Sequence, residues 1–393
     1  MKKKLLTGIF LINATLYFSQ SFVKTMKRLP DTGQNTSYTG TFGEDNDYSI
    51  NTPFFIDNGN GTVTDTITGL IWQKSDGGEM TIENATTYCS NLILGSETDW
   101  RLPNAHELFS IMNHQYSNPS IDASVFTTTT AQYWWTIDKQ VNDITKIWAG
   151  NSGGGIGNHP KTETISAGGN KKFHVRAVRN PITPVVVQSH FTDNGNGTIT
   201  DNITNLIWEK APFADTLSWE QSLIYANTLT LTGKTDWRLP NIKELQSIND
   251  ETLINPSLNT NYFNVNSAKK YWSSTTIPNQ TSNAWYMYTQ FGITTYDTKT
   301  NKHNLICVRS NQIINNLNEI NSSKLSIYPN PFSNKIKLEN AIGNENFELY
   351  NSFGQLIFSG KNIDQQNFDC LINGIYFLKI TSQKISIIKL LKE

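Results

Sequence analysis

Asp57–Asp65 reads DNGNGTVTD, and Asp193–Asp201 reads DNGNGTITD. The glycines in each stretch suit positive φ, and they lie between short apolar and β-branched runs, which predicts a β-hairpin. Later landmarks also occur twice, in one order. They are a Trp (Trp72, Trp208), DWRLPN (Asp99–Asn104, Asp236–Asn241), an aromatic pair (Tyr133-Trp134, Tyr271-Trp272), a lone Trp (Trp148, Trp285) and a Val-Arg ending (Val178-Arg179, Val308-Arg309). Stacked solenoid units repeat every ~20–50 residues, so this longer period predicts tandem globular modules.

The chain has 393 residues, a net charge of −1, 37% hydrophobic and 17% charged residues. That is an ordinary soluble composition with no bias toward nucleic acid or other polyanions. Met1–Ser21 has a basic start and a short apolar run, the pattern of a secretory signal cut near Ser21. No later run is apolar enough for a transmembrane segment. The three cysteines, Cys89, Cys307 and Cys370, have no zinc spacing.

Composition shifts divide the chain. Residues 22–53 form a polar arm, expected to be loosely attached. The first module spans 54–180, a stiff Pro-flanked linker 181–190, the second module 191–310, a polar linker 311–323 and a small C-terminal domain 324–393. Each module reads as α+β: a hairpin, two helices and an irregular antiparallel sheet. Asn104 and Asn241 stand three residues before Glu107 and Glu244, which predicts a capping box at the second helix of each module. Asp99 and Asp236 are expected to pair with Arg101 and Arg238. In the C-terminal domain, short β-branched and aromatic runs split by turn residues predict a small antiparallel β-sandwich, with Cys370 buried in it.

Several motifs that could carry chemistry read as structure. An EF-type calcium loop needs oxygen side chains where the hairpins have glycine. The paired carboxylates are accounted for by capping and ion pairing. GNSGGGIGN at Gly150–Asn158 lacks a phosphate-loop ending and reads as a mobile surface loop, the place where the modules differ most. The histidines lack metal spacing, and no serine or cysteine stands in a nucleophile motif. The expectation is a non-catalytic protein without cofactor or metal.

DNGNGTVTDTITGLIWQ, the helix ending in Tyr88-Cys89, DWRLPN with His106-Glu107-Leu108, the Tyr-Trp pair and VRAVRN resemble the Lcl C-terminal domain family. The second module matches through DNGNGTITDNITNLIWEK, DWRLPNIKEL, YWSSTT, AWYMYTQFG and ICVRS. The resemblance implies two tandem C-type-lectin-like modules, and the adhesin that names the family binds sulfated glycans. WRLPN-x-x-E with a late Val-Arg also resembles the formylglycine-generating branch of such folds, whose paired reactive thiols are absent here. The family often has a cysteine after the helix Tyr and another in the closing strand. Here Cys89 faces Ala177 in that scheme, and Cys307 faces Ala226, which leaves either two buried thiols or a Cys89–Cys307 bridge through exchanged segments.

LSIYPNP, ELYNSFGQLIFSG and NGIYFLKI resemble the type IX secretion C-terminal sorting domain. That resemblance implies export to the outer cell surface or release, with the secretion machinery as partner. The expected function is adhesin-like recognition of carbohydrate or extracellular matrix. The alternatives are a structural cell-envelope protein that binds protein partners, or an enzyme of the formylglycine-generating-like branch. Trp135 aligns with Ser273 and is the ring expected to be exposed. With it, His159, Lys161, Lys171 and Lys172 are the candidate contacts of the first module, and Tyr296, Lys299 and Lys302 those of the second.

Overall fold

In a computed structural model of the chain, which describes residues 22–127, 131–163, 168–311, 326–339, 345–351, 355–381 and 385–393, both hairpins form as expected. Residues 1–21 and 312–323, read above as signal and second linker, lie outside the described residues. The hairpin turns are held locally. The Asp57 carboxylate accepts from Gly59 N–H at 3.0 Å and meets Lys74 Nζ at 2.6 Å, and Asp193 does the same with Gly195 and Lys210.

The Val-Arg ending closes each module beside its own beginning. In the first, Val63, Trp72 and Val178 are cross-strand neighbours in one antiparallel sheet, and in the second Ile199, Trp208 and Val308 repeat the row. Alternation along each strand turns these residues to one face, and all six are fully buried. A second sheet in the first module orders its strands Glu79–Met80, Phe173–His174, Tyr133–Gln140, Asp143–Asn151, Ile156–Pro160. The second module keeps three of these: Lys270–Thr276, Asn283–Tyr288 and Ile293–Thr298. The described residues are therefore mostly β, with four short α-helices: α1 (Ile82–Asn91), α2 (Ala105–Ser110), α3 (Trp219–Thr228) and α4 (Ile242–Ser247).

Both capping boxes are present at α2 and α4. The arginine pairing differs from expectation. Arg101 and Arg238 reach the capping glutamates at 2.7 and 2.5 Å, while Asp99 and Asp236 pair with Arg179 and Arg309 of the closing strands. Two arginines in each module thus tie the DWRLPN segment, one to the helix start and one to the closing strand.

The modules do not keep separate interiors. One apolar cluster contains Trp72, Trp134 and Trp148 of the first together with Trp208, Tyr271 and Trp285 of the second. A satellite cluster belongs to each module alone, one holding Cys89 with Ala177, the other Cys307 with Ala226. Both cysteines are free and buried, and burial pushes the Cys89 thiol up to about 12.

The polar arm is built in rather than loose. Its strand Phe22–Lys24 pairs with Val185–Val187 of the linker. Asp31, Thr32, Gln34 and Asp45 are buried, and their polar groups bond across both modules. Gln34 Nε2 donates to His114 O at 3.0 Å in one and Thr276 O at 2.6 Å in the other. Asp45 accepts from Thr32 at 2.9 Å and from Thr275 at 2.5 Å. Lys243 on α4 donates to the arm carbonyl of Asp31 at 2.8 Å and to Ser110 O of α2 at 2.7 Å. At the matching place on α2, His106 reaches Glu251 of the second module at 3.1 Å. Each module thus sends one cation into the other. Composition concealed this role because polar residues read as solvated unless their partners are known.

The C-terminal domain is a separate compact unit. Its strands form a two-stranded sheet and a four-stranded antiparallel sheet ordered Leu356–Gly360, Asn346–Asn351, Gly374–Thr381, Ile385–Lys392. Phe332, Phe347, Phe368, Tyr376 and Leu390 fill its core. Cys370 is exposed, not buried, because it lies in the turn that follows Phe368, whose ring takes the core position.

We predict that Lys243→Ala in the full chain lowers the urea stability of the module pair by roughly 3–5 kcal/mol, since it strands buried acceptors and removes a buried cation. A loss under about 1 kcal/mol, the scale of an exposed ion pair, would show that the arm and α2 are not held through this ammonium.

Candidate binding site between the two modules

Gly150–Asn158 is no mobile surface loop. It runs from the end of the strand Asp143–Asn151 through a tight turn into Ile156–Pro160, and Gly150, Gly154, Gly155 and Ile156 are buried. Gly154 has φ +100, and a Cβ there would lie 2.9 Å from Ser120 Oγ. A Cβ on Gly155 would lie 3.3 Å from the Thr294 carbonyl and 3.4 Å from the Trp285 ring. Side chains are thus excluded by close approach, to the first module itself at Gly150 and Gly154 and to the second module at Gly155. Ile156 N–H completes the seam by donating to Thr294 Oγ1 at 2.8 Å.

Above this seam lies a cleft of about 460 Å3 that exists only because the modules adjoin. The first module supplies Tyr116, Asn118, Tyr133, Gly153 and residues 155–159, and the second supplies residues 277–280, Trp285 and residues 293–296. Trp285 is buried at the base and meets two rings edge-on: His114 at 5.5 Å and Tyr296 at 5.8 Å. Tyr296 and Tyr116 are exposed at 44% and 50%, with Asn118, Asn279 and Gln280 also exposed along the rim.

No described residue lining the cleft is an acid, a lysine or an arginine. Its histidines are held neutral. Burial, assisted by Lys243, pushes His114 down to about 3, and burial with Lys171 nearby pushes His159 down to about 4. His114 Nε2 lies 2.9 Å from the Gly154 carbonyl, so in the neutral ring Nε2 carries the proton. Nδ1 is then a buried acceptor without a partner, and Asn158 Nδ2 is a buried donor without one. Leaving such groups unsatisfied costs about 1–3 kcal/mol each.

The structure brings two of the sequence candidates, His159 and Tyr296, into this cleft. Trp135 is not the exposed ring that its alignment with Ser273 implied. It is fully buried, its Nε1 donates to Met80 O at 2.9 Å, and its ring packs on Phe173 at 4.3 Å. Its counterpart is Trp272, whose Nε1 donates to Leu217 O, while Thr136 and Ser273 make equivalent bonds to Trp148 O and Trp285 O, each 2.8 Å. The two Tyr-Trp pairs are therefore offset by one residue, and on a strand one residue exchanges inside for outside. Lys161 lies 3.5 Å from Glu83, Lys171 sits over the Phe173 ring, and Lys172 is exposed. Lys299 lies over the Trp219 ring at 3.8 Å, and Lys302 is exposed. These lysines do not line the cleft. Sequence reasoning missed His114, Asn158 and Trp285; the one available signal was the glycine-rich run next to Asn158.

Residues 61–179 and 197–309 each match the Lcl C-terminal domain. The chain belongs to that family. Residues 326–392 match the secretion system C-terminal sorting domain, so this Lcl C-terminal domain protein is exported to the cell surface or secreted through the type IX system. No helix among the described residues is long and apolar enough to cross a membrane. No curated protein matches the chain. Among solved structures, PorZ, described as an essential bacterial surface component of the type-IX secretion system of Porphyromonas gingivalis, is similar at 12% identity. That match covers 66% of this chain and 30% of that one with a TM-score of 0.16, too low to inform the fold.

We predict from these shifts that the His114 and His159 ring resonances stay in the neutral form from pH 8 to pH 5 in a histidine NMR titration. His106 behaves oppositely. Burial opposes its charge, but Glu251 outweighs burial and raises it to about 9, so it stays protonated over the same range. A midpoint near 6.5 for His114 would contradict the buried, neutral assignment.

Proposed function

We propose that this chain is a non-catalytic recognition protein of the cell surface, built from two C-type-lectin-like modules and a sandwich-type sorting domain, that binds carbohydrate or extracellular matrix. The observation that carries this reading is the cleft between the modules. It offers exposed tyrosines, a rim of amides, and a buried donor and acceptor without partners. Binding sites combine apolar surface with a few fixed polar groups in this way. The resemblance to a glycan-binding adhesin domain supports the same class of ligand, and the sorting domain supplies the surface location.

The lysine candidates support the reading less. Lys161 and Lys171 already have local partners, and Lys299 rests on an indole. Residues 181–190, read from the sequence as a stiff linker, contribute a paired strand to the body. A second reading, binding of protein partners within the envelope, has one observation behind it. The ribbon formed by Phe22–Lys24 and Val185–Val187 exposes Val23, Val185 and Val186 at 57–63%.

A glycan array probed with the full secreted chain tests the proposal. Reproducible binding to defined glycans is expected; a silent array together with specific capture of envelope proteins would favour the ribbon reading instead.

A further inference from the structure

The geometry points to an uncharged saccharide as the ligand of the cleft between the modules, a site that neither module forms alone. This inference rests on the carbohydrate reading above and narrows it.

Charge is the first ground. A sulfate or carboxylate brought into the cleft would lose hydration, and anions leaving water need a cation or several strong donors in return. No lysine or arginine among the described residues lines the walls to compensate. Both histidines there are neutral, so they supply no positive charge near neutral pH. The molecule does hold cations nearby, but they are engaged elsewhere: Lys243 with Asp31 O and Ser110 O, Lys171 over the Phe173 ring.

Hydrogen bonding is the second ground. A sugar hydroxyl both donates and accepts, and so does a primary amide. Asn118, Asn151, Asn158, Asn279 and Gln280 place five amide side chains along the cleft. The Asn158 Nδ2 donor and the His114 Nδ1 acceptor lack partners within the protein, and hydroxyls can satisfy both without any change of protonation. A purely apolar ligand would leave them stranded.

Shape is the third. Aromatic faces stack on the C–H faces of pyranose rings, and Tyr296 is the exposed ring next to the Trp285 base. The volume of about 460 Å3 falls within the range of small-ligand sites. Gly155 and Gly157 permit this breadth, since side chains there would meet Thr294 O and Ile293.

The test is binding of the full chain to immobilised unsulfated oligosaccharides (mannan, glucan, galactan and chitin series) and to heparin, at about 0.05 M and about 0.5 M salt. Members of the neutral series are expected to bind, with affinity changing less than about twofold between the two salt levels because no ion pair is screened. Tyr296→Ala should weaken that binding roughly tenfold, the loss of one aromatic contact. Asn158→Asp, which removes the donor and adds a charge, should weaken it at least as much. Circular dichroism and thermal melting show whether each variant is folded, and Asn279→Asp on the exposed rim provides a third variant free of packing effects. Binding to heparin alone, or neutral binding untouched by all three folded variants, would overturn the cleft assignment while leaving carbohydrate recognition standing. Failure of every sugar to bind would overturn both.

Discussion

A single apolar cluster, fed from both modules and holding Trp72 and Trp148 beside Trp208 and Trp285, constrains everything else in this protein. Duplication ordinarily yields two beads on a string, each with a closed core. Here the sheets that carry the repeated Val-Trp-Val and Ile-Trp-Val rows contribute to one interior. Truncating a fully buried Trp costs about 3–5 kcal/mol, and total stability is often only about 5–15 kcal/mol. A module deprived of its neighbour would expose several such side chains at once. The cleft follows from this packing, because its two walls are the edges where the joined bodies meet.

The polar groups at the junction determine how the modules register. Hydrophobic burial is non-directional, so it holds surfaces together without fixing their angle. Lys243 and His106 occupy matching positions on α4 and α2, and each crosses to the opposite module. The arm adds Asp31, Thr32, Gln34 and Asp45, with bonds to both sides. It also breaks the symmetry of the repeat. The Tyr48 ring lies over the Arg238 guanidinium at 5.2 Å, and that arginine is buried, whereas Arg101 is more exposed. Burial, with Glu244 nearby, raises Asp31 to about 6, and burial lowers Lys243 to about 8 against the pull of Asp31, Asp65 and Asp45.

What the sequence revealed was local. Hairpin glycines and capping boxes depend on residues a few positions apart, and the repeat shows as matching letters in one order; all three were legible. Partners set by tertiary contact were not. Asp99 has Arg101 two residues away but pairs with Arg179 from the closing strand. The Tyr-Trp motif misled by one residue, because matching letters can outvote matching faces; hydrogen bonds of Trp135 and Trp272 give the true register. Glycine-rich Gly150–Asn158 looked like a loop because glycine signals freedom equally with close approach. His159 and Tyr296 were chosen from type and position, and both line the cleft; His114 and Asn158 gain meaning only from bonds they lack.

The most direct measurement cuts the connection between the modules. A protease site inserted at residues 181–184, cleaved in the folded full-length protein, leaves the two modules covalently separate. If the interior is shared, both pieces co-elute as one folded particle on size exclusion and part only when unfolded by denaturant. Two pieces that separate under native conditions, each retaining its structure, would contradict the account.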